Sequence, residues 1–258
     1  MEIIIFIFGL IFGSFANVCI FRLPKSKSLV TPGSYCPSCK KSLKWQDNIP
    51  LLGYIFLKGK CRFCKKKIPL RYPLVELICG IGFLMIYMKF GLTAPLFFYA
   101  IFFLSMVIIS FIDIDTYLIS DVIVLPGIPL GLAASAFFPG MHYGLSRMDS
   151  LLYSLYGMLA GGLILLALGF FGKIVFKKDA MGGGDVKMLA MIGAFLGWKS
   201  VFLTLFFASL VGTVISLALI GMKKKTMEDY VPFGPYLALA SIIALFIKGT
   251  EFLGFFIN

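Results

Sequence analysis

The sequence predicts an all-α polytopic membrane protein with about eight transmembrane helices and one small polar insert between the first two. Three observations predict it. The mean hydropathy is +0.97, with 60% of residues hydrophobic and only 14% charged, whereas a soluble domain is usually about one-quarter charged. So few polar side chains could not cover a globule of 258 residues, but lipid solvates an apolar outer surface. The second observation is that apolar runs recur at lengths near the ~20 helical residues that a bilayer core about 30 Å thick requires. The third is that the basic residues gather in a few polar breaks.

The spans read in order as 3–21, 73–90, 94–112, 121–138, 151–174, 186–199, 201–222 and 232–248. The first has no Lys or Arg ahead of it, while Arg22, Lys25 and Lys27 follow it. A secretory signal has the opposite order, so this run is read as a retained helix. The run at 186–199 is short and contains glycine, which predicts a tilted helix or one continuous with the loop before it. Eight spans place residues 22–72, 112–121, 175–186 and 223–231 on one side, and Pro139–Ser150 on the other. Thirteen of the 24 Lys and Arg residues lie between Arg22 and Arg71, four more at Lys173, Lys177, Lys178 and Lys187, and three at Lys223–Lys225. That excess marks the cytoplasmic side. The net charge of +12 is thus read as membrane topology. No nucleic-acid partner is expected, because the basic residues are not interleaved with stacking aromatics. The sequence shows no internal repeat. The expected division is a first helix at 1–21, an insert at 22–72 and a helical domain at 73–258.

The insert is too small to build a good core, and domains of that size often depend on a metal or disulfides. It carries Cys36-Pro-Ser-Cys39 and Cys61-Arg-Phe-Cys64, two Cys-x-x-Cys pairs at the spacing of a four-thiolate zinc site. A reducing cytoplasm favours a metal over disulfides, and four thiolates leave no open position for water, so the expected Zn²⁺ is structural. Cys19 and Cys79 fall within apolar runs and read as small core residues.

Acids are few, and their positions are informative. Asp113, Asp115 and Asp121 bracket the break between two apolar runs, Asp179 and Asp185 flank Met181-Gly182-Gly183-Gly184, and Glu76 lies just inside the second span. An ionised carboxylate at membrane depth is costly, so each is a functional candidate by default. The glycines predict close backbone approach and positive φ just before a helix near Asp185, whose N-terminus would stabilise the carboxylate. Asp113 and Asp185, if adjacent, would titrate as a coupled pair able to supply an acid and a base. The residues alone leave a second reading open, in which Asp113, Asp115 and Asp121 cap helix ends and Asp185 is an N-cap.

Further motifs stand in order along the chain: Gly13-Ser14-Phe15-Ala16-Asn17-Val18, then Arg22-Leu23-Pro24 and the two cysteine pairs. Arg71-Tyr72-Pro73-Leu74-Val75-Glu76-Leu77 and Ile112-Asp113 follow, then Gly182-Gly183-Gly184-Asp185-Val186-Lys187 and Pro232-Phe233-Gly234-Pro235. In this order they resemble the type IV prepilin peptidases, bifunctional leader peptidase/N-methyltransferases and intramembrane aspartic proteases of the Gly-x-Gly-Asp type. The resemblance implies that Asp113 and Asp185 are catalytic, with Gly182, Gly183, Gly184 and Lys187 supporting the second. It implies cleavage of the basic leader of a type IV prepilin or pseudopilin in the bacterial inner membrane, with the active site facing the cytoplasm. It further implies methylation of the new N-terminus from S-adenosyl-L-methionine, for which Asn17, Arg22, Glu76 and Gly80 are the candidates. Ser120 stands where many relatives have proline. A peptidase lacking the methyltransferase, or a transporter with membrane acids, are the alternatives; the four cysteines favour the bifunctional form.

Overall fold

In the computed structural model, residues 1–142, 145–177, 181–223 and 231–247 are described. They form helices throughout, with no strand beyond two isolated bridges. Helix α1 spans Glu2–Arg22, α2 Leu52–Phe56, α3 Arg71–Phe90, α4 Ala94–Thr116 and α5 Asp121–Phe137. Then come α6 Arg147–Phe176, α7 Gly183–Leu196, α8 Trp198–Gly221 and α9 Gly234–Phe246. The eight expected apolar helices are all present, and α2 is a short addition inside the insert. By length and composition α1, α3, α4, α6 and α8 can each cross a bilayer, while α5 and α9 are shorter apolar helices and α7 has 14 residues. Asp179 lies outside the described residues.

The chain divides into two compact units, Met1–Ile108 and Ile109–Asn258. In the first, α1 packs along α3 through small residues. A Cβ on Gly9 would lie 2.5 Å from the Cys79 carbonyl oxygen, and one on Gly13 would lie 2.7 Å from Glu76 Cα. Such close backbone approach is how apolar helices associate when lipid removes the hydrophobic drive between them. Cys19 and Cys79 are buried in this unit, as the sequence predicts.

In the second unit α6 and α7 meet backbone to backbone. A Cβ on Gly193 would fall 2.0 Å from the Gly157 oxygen, and one on Gly161 2.4 Å from the Leu189 oxygen. A buried polar clasp adds to this contact. His142 Nε2 lies 3.0 Å from Ser135 Oγ and 2.9 Å from Ser154 Oγ, and Ser154 donates to the Ala194 carbonyl at 2.8 Å. Burial pushes the His142 imidazole down to about 4, so it is neutral at pH 7 and serves as a hydrogen-bonding group.

Several boundaries differ from the sequence reading; α4, for example, runs to Thr116, past the expected end at 112. Helix α6 begins at Arg147, inside the segment expected to be loop, because Ser146 Oγ accepts the Asp149 amide at 3.2 Å and donates to its carboxylate at 2.6 Å, a capping arrangement. The break between α7 and α8 falls at Gly197, whose φ is +78°. There the Tyr153 ring would lie 1.8 Å from an added Cβ.

Candidate active site and metal centre

Asp113 sits in the last turn of α4 and is only 4% exposed. Its Oδ2 accepts the Gly234 amide at 3.0 Å, a donor at the positive N-terminal end of α9. A Cβ at position 234 would stand 2.6 Å from that oxygen, so only glycine lets the amide come this close. Asp185 is half-buried in the first turn of α7 and lies within Coulombic reach of Asp113. Its carboxylate folds back over Gly182, where an added Cβ would lie 3.0 Å from Oδ2. The structure thus brings the two acids into one site, each beside a glycine.

The glycine run works differently from the sequence expectation. Gly182 is extended at φ −72°, ψ 135°, and α7 already begins at Gly183; none of the three takes a positive φ. What matters is space. A Cβ on Gly184 would meet Ile119 Cβ at 2.8 Å, whereas one on Gly183 meets nothing within 4 Å. Lys187 does not face the two acids: its Nζ holds both Asp121 oxygens at 2.9 Å, joining α7 to the start of α5. The role of Gly234 was missed by sequence reasoning, although its motif, Pro232-Phe233-Gly234-Pro235, was visible.

In the insert, the Sγ atoms of Cys36, Cys39, Cys61 and Cys64 all lie within 4.8 Å of one another. Cys36–Cys64 are 3.9 Å apart and Cys39–Cys61 4.0 Å. A disulfide needs about 2.05 Å, whereas a tetrahedral ion with metal–sulfur bonds of about 2.3 Å sets its sulfurs about 3.8 Å apart. The donor set and spacing therefore fit a metal ion. Backbone amides point at a sulfur in each knuckle, those of Cys64 and Phe63 at Cys61 and that of Lys41 at Cys39, donors that suit a metal-bound thiolate.

The two knuckles have matching hydrogen bonds. Cys36 N–H donates to Lys41 O and Lys40 N–H to Cys36 O; likewise Cys61 N–H donates to Lys66 O and Lys65 N–H to Cys61 O. Lys40 and Lys65 share a left-handed backbone at φ 56° and 58°. A bidentate ion pair between Arg62 and Asp47 braces the second knuckle, with Nε at 3.0 and 3.1 Å from the carboxylate oxygens. Arg62 holds the Asp47 carboxyl below the usual carboxylate range.

Beside the metal site is a cavity of about 400 Å³. Asn17, Arg22 and Glu76 line it together with Asp47, Tyr54 and Tyr72. Asn17 Nδ2 donates to the Tyr72 carbonyl at 3.0 Å, tying α1 to the start of α3. The Arg22 guanidinium donates to the carbonyls of Ser28, Pro32 and Gly33 at 2.9, 2.6 and 3.2 Å. Glu76 Oε2 accepts the Leu51 amide at 2.8 Å, a backbone anchor for the insert. Gly80 does not line the cavity; it packs on α1, where a Cβ would lie 2.8 Å from both Leu10 and Phe6 side chains.

Paired acids at the ends of apolar helices and a metal-fitting insert in the same chain are features of a helical membrane enzyme. Comparison with known proteins makes this specific. The bacterial peptidase A24 N-terminal domain matches residues 7–90 and the type IV leader peptidase family matches residues 100–217. A prepilin leader peptidase/N-methyltransferase of Pseudomonas aeruginosa is 37% identical over 260 residues, covering 92% of this chain and 87% of the relative. One of Bacillus subtilis is 33% identical over 255 residues, covering 99% and 97%. No solved structure matches. The chain belongs to the type IV leader peptidase family.

Proposed function

We propose that this chain cleaves the leader from type IV prepilins or pseudopilins at the cytoplasmic face of the bacterial inner membrane, then N-methylates the exposed amine. The observation that carries the first activity is the approach of Asp113 and Asp185, with Gly234 donating to one and Gly182 beneath the other. Carboxylates within Coulombic reach of each other do not both ionise cheaply, so one holds a proton while the other stays charged. The ionised partner takes a proton from water as its oxygen attacks the scissile carbonyl. The protonated partner donates to the carbonyl oxygen; as the C–N bond breaks, the proton taken from water passes to the leaving amine and the one on the former carbonyl oxygen returns to its carboxylate. Oriented amides spare the site from reorganising as charge develops. The charge distribution supports the cytoplasmic orientation, since 20 of the 24 basic residues fall in, or at the span ends bordering, segments read as lying on one side.

We assign zinc to the four cysteines as a structural ion, on the strength of four thiolate donors at tetrahedral spacing. S-adenosyl-L-methionine would supply an electrophilic methyl group, which Asn17 and Arg22 would help to hold while Glu76 holds the amine in the adjoining cavity; Gly80 would serve by letting α3 approach α1. The insert and its flanking helices form the methyl-transfer part, and the helices that follow form the peptidase. Incubating purified protein with a prepilin and measuring product mass tests the reading. Asp113→Asn and Asp185→Asn should each abolish the shortened product in folded protein. Full cleavage by either variant would refute the assignment.

A further inference from the structure

The cavity in the first unit has a carboxylate that no cation of its wall pairs with, although Arg22, Lys66 and Lys67 also line it. Glu76 is 9% exposed and faces that space. Its partners are the Leu51 amide and the Ser14 hydroxyl, both neutral donors. The ion pairs Arg62–Asp47 and Lys187–Asp121 do not involve Glu76, and the groups that hydrogen-bond it are neutral. Arg22 lines the same cavity, but its guanidinium is committed to three carbonyl oxygens. A carboxylate buried in this way is poorly stabilised until a cation joins it. The other acid in the wall, Asp47, already has one.

The place of Glu76 narrows the choice of cation. It stands five residues into α3, about 7.5 Å along the helix from Arg71, where the apolar span is just beginning. A soluble donor would enter among the polar residues of the insert. An amine at the head of a membrane-embedded hydrophobic segment would come to rest at this depth, and Tyr54 and Tyr72 in the same wall offer rings to a cation.

We propose that Glu76 binds the α-amine created by leader removal and takes from it the proton that prevents it acting as a nucleophile. This rests on the methyl-transfer reading above. The ammonium gives one proton to the Glu76 carboxylate, leaving a lone pair on nitrogen. That nitrogen forms the new N–C bond to the methyl group as the C–S bond breaks with its electron pair going to sulfur. The positive charge passes from sulfonium to the methylated amine, and the Glu76 proton returns to water.

Glu76→Gln tests this, because it keeps an oxygen for the Leu51 amide but cannot accept the proton. With a prepilin and S-adenosylmethionine, methylation should fall about 100-fold or more. The residual rate should rise about tenfold per pH unit up to the α-amine's own pKa near 7.7–8.0, a steeper profile than the wild type shows. Metal content and affinity for S-adenosylhomocysteine, measured by calorimetry, should match the wild type, and leader cleavage in the same sample shows that the variant is folded. Methylation at the wild-type rate would overturn the proposal. Loss of metal or of S-adenosylhomocysteine binding would also overturn it, making Glu76 a strut for Leu51. If the wild type itself cleaves but never methylates, the broader reading fails too, and the wild-type control alone shows that.

Discussion

Gly234 follows Asp113 by 121 positions, yet its amide is the donor that fixes the Asp113 carboxylate. An alanine there would press a methyl group to 2.6 Å from Oδ2 and push the acid aside. Displacement on this scale can cost about 100-fold in rate, so Gly234→Ala should lose cleavage by that order in a mass-based assay. Gly183→Ala is the matched control: its Cβ meets nothing, and its melting temperature should stay at the wild-type value. The two acids themselves were legible because carboxylates are scarce and costly near lipid. Their backbone supports were not, since such contacts join positions far apart in the chain. The glycine run was legible as a signal and misread in mechanism: it provides room for Ile119, without a left-handed turn.

At the scale of elements, the apolar runs gave the helices because each is apolar enough to be recognised alone. Their ends were less readable, as Ser146 with Asp149 and the break at Gly197 show. Packing between them was invisible in a single sequence. The α6–α7 contact leaves no space at Gly193, so Gly193→Ala must separate the two backbones. It should destabilise the second unit by about 1–3 kcal/mol in a thermal melt, and also lower cleavage by shifting α7, which carries Asp185. Lys187→Ala removes a pair with both partners largely exposed, and such pairs contribute about 0–1 kcal/mol. Its effect on stability should be correspondingly small. The Asp47–Arg62 pair has a defined pH dependence. Asp47's carboxyl is depressed in the folded insert, so its contribution is present above the unfolded value of about 3.9 and lost as pH falls through the depressed one. The stability difference between wild type and Asp47→Asn should therefore be constant from neutral pH down to about 5 and shrink below about 4.

At the scale of the molecule, the carboxylate pair and the four cysteines belong to different compact units. Cys36 and Cys61 are shared between the metal cluster and the cavity wall. Chelation that strips the metal should consequently abolish methylation while cleavage of the leader continues, both read from one mass spectrum. Equal loss of both activities would show that the units depend on each other.

The likeness of the two knuckles has a consequence for how the metal is acquired. Each turn closes through its own local hydrogen bonds, so each can present two sulfurs before the other has formed. An ion caught by one pair raises the effective concentration of the second, and capture becomes a chelate process in which the first bond pair recruits the next. The chain between Cys39 and Cys61 is then a tether whose closure the ion itself completes. A variant that loses one cysteine should still hold metal, weakly and exchangeably, and the insert would pass through such a half-bound form each time it is loaded.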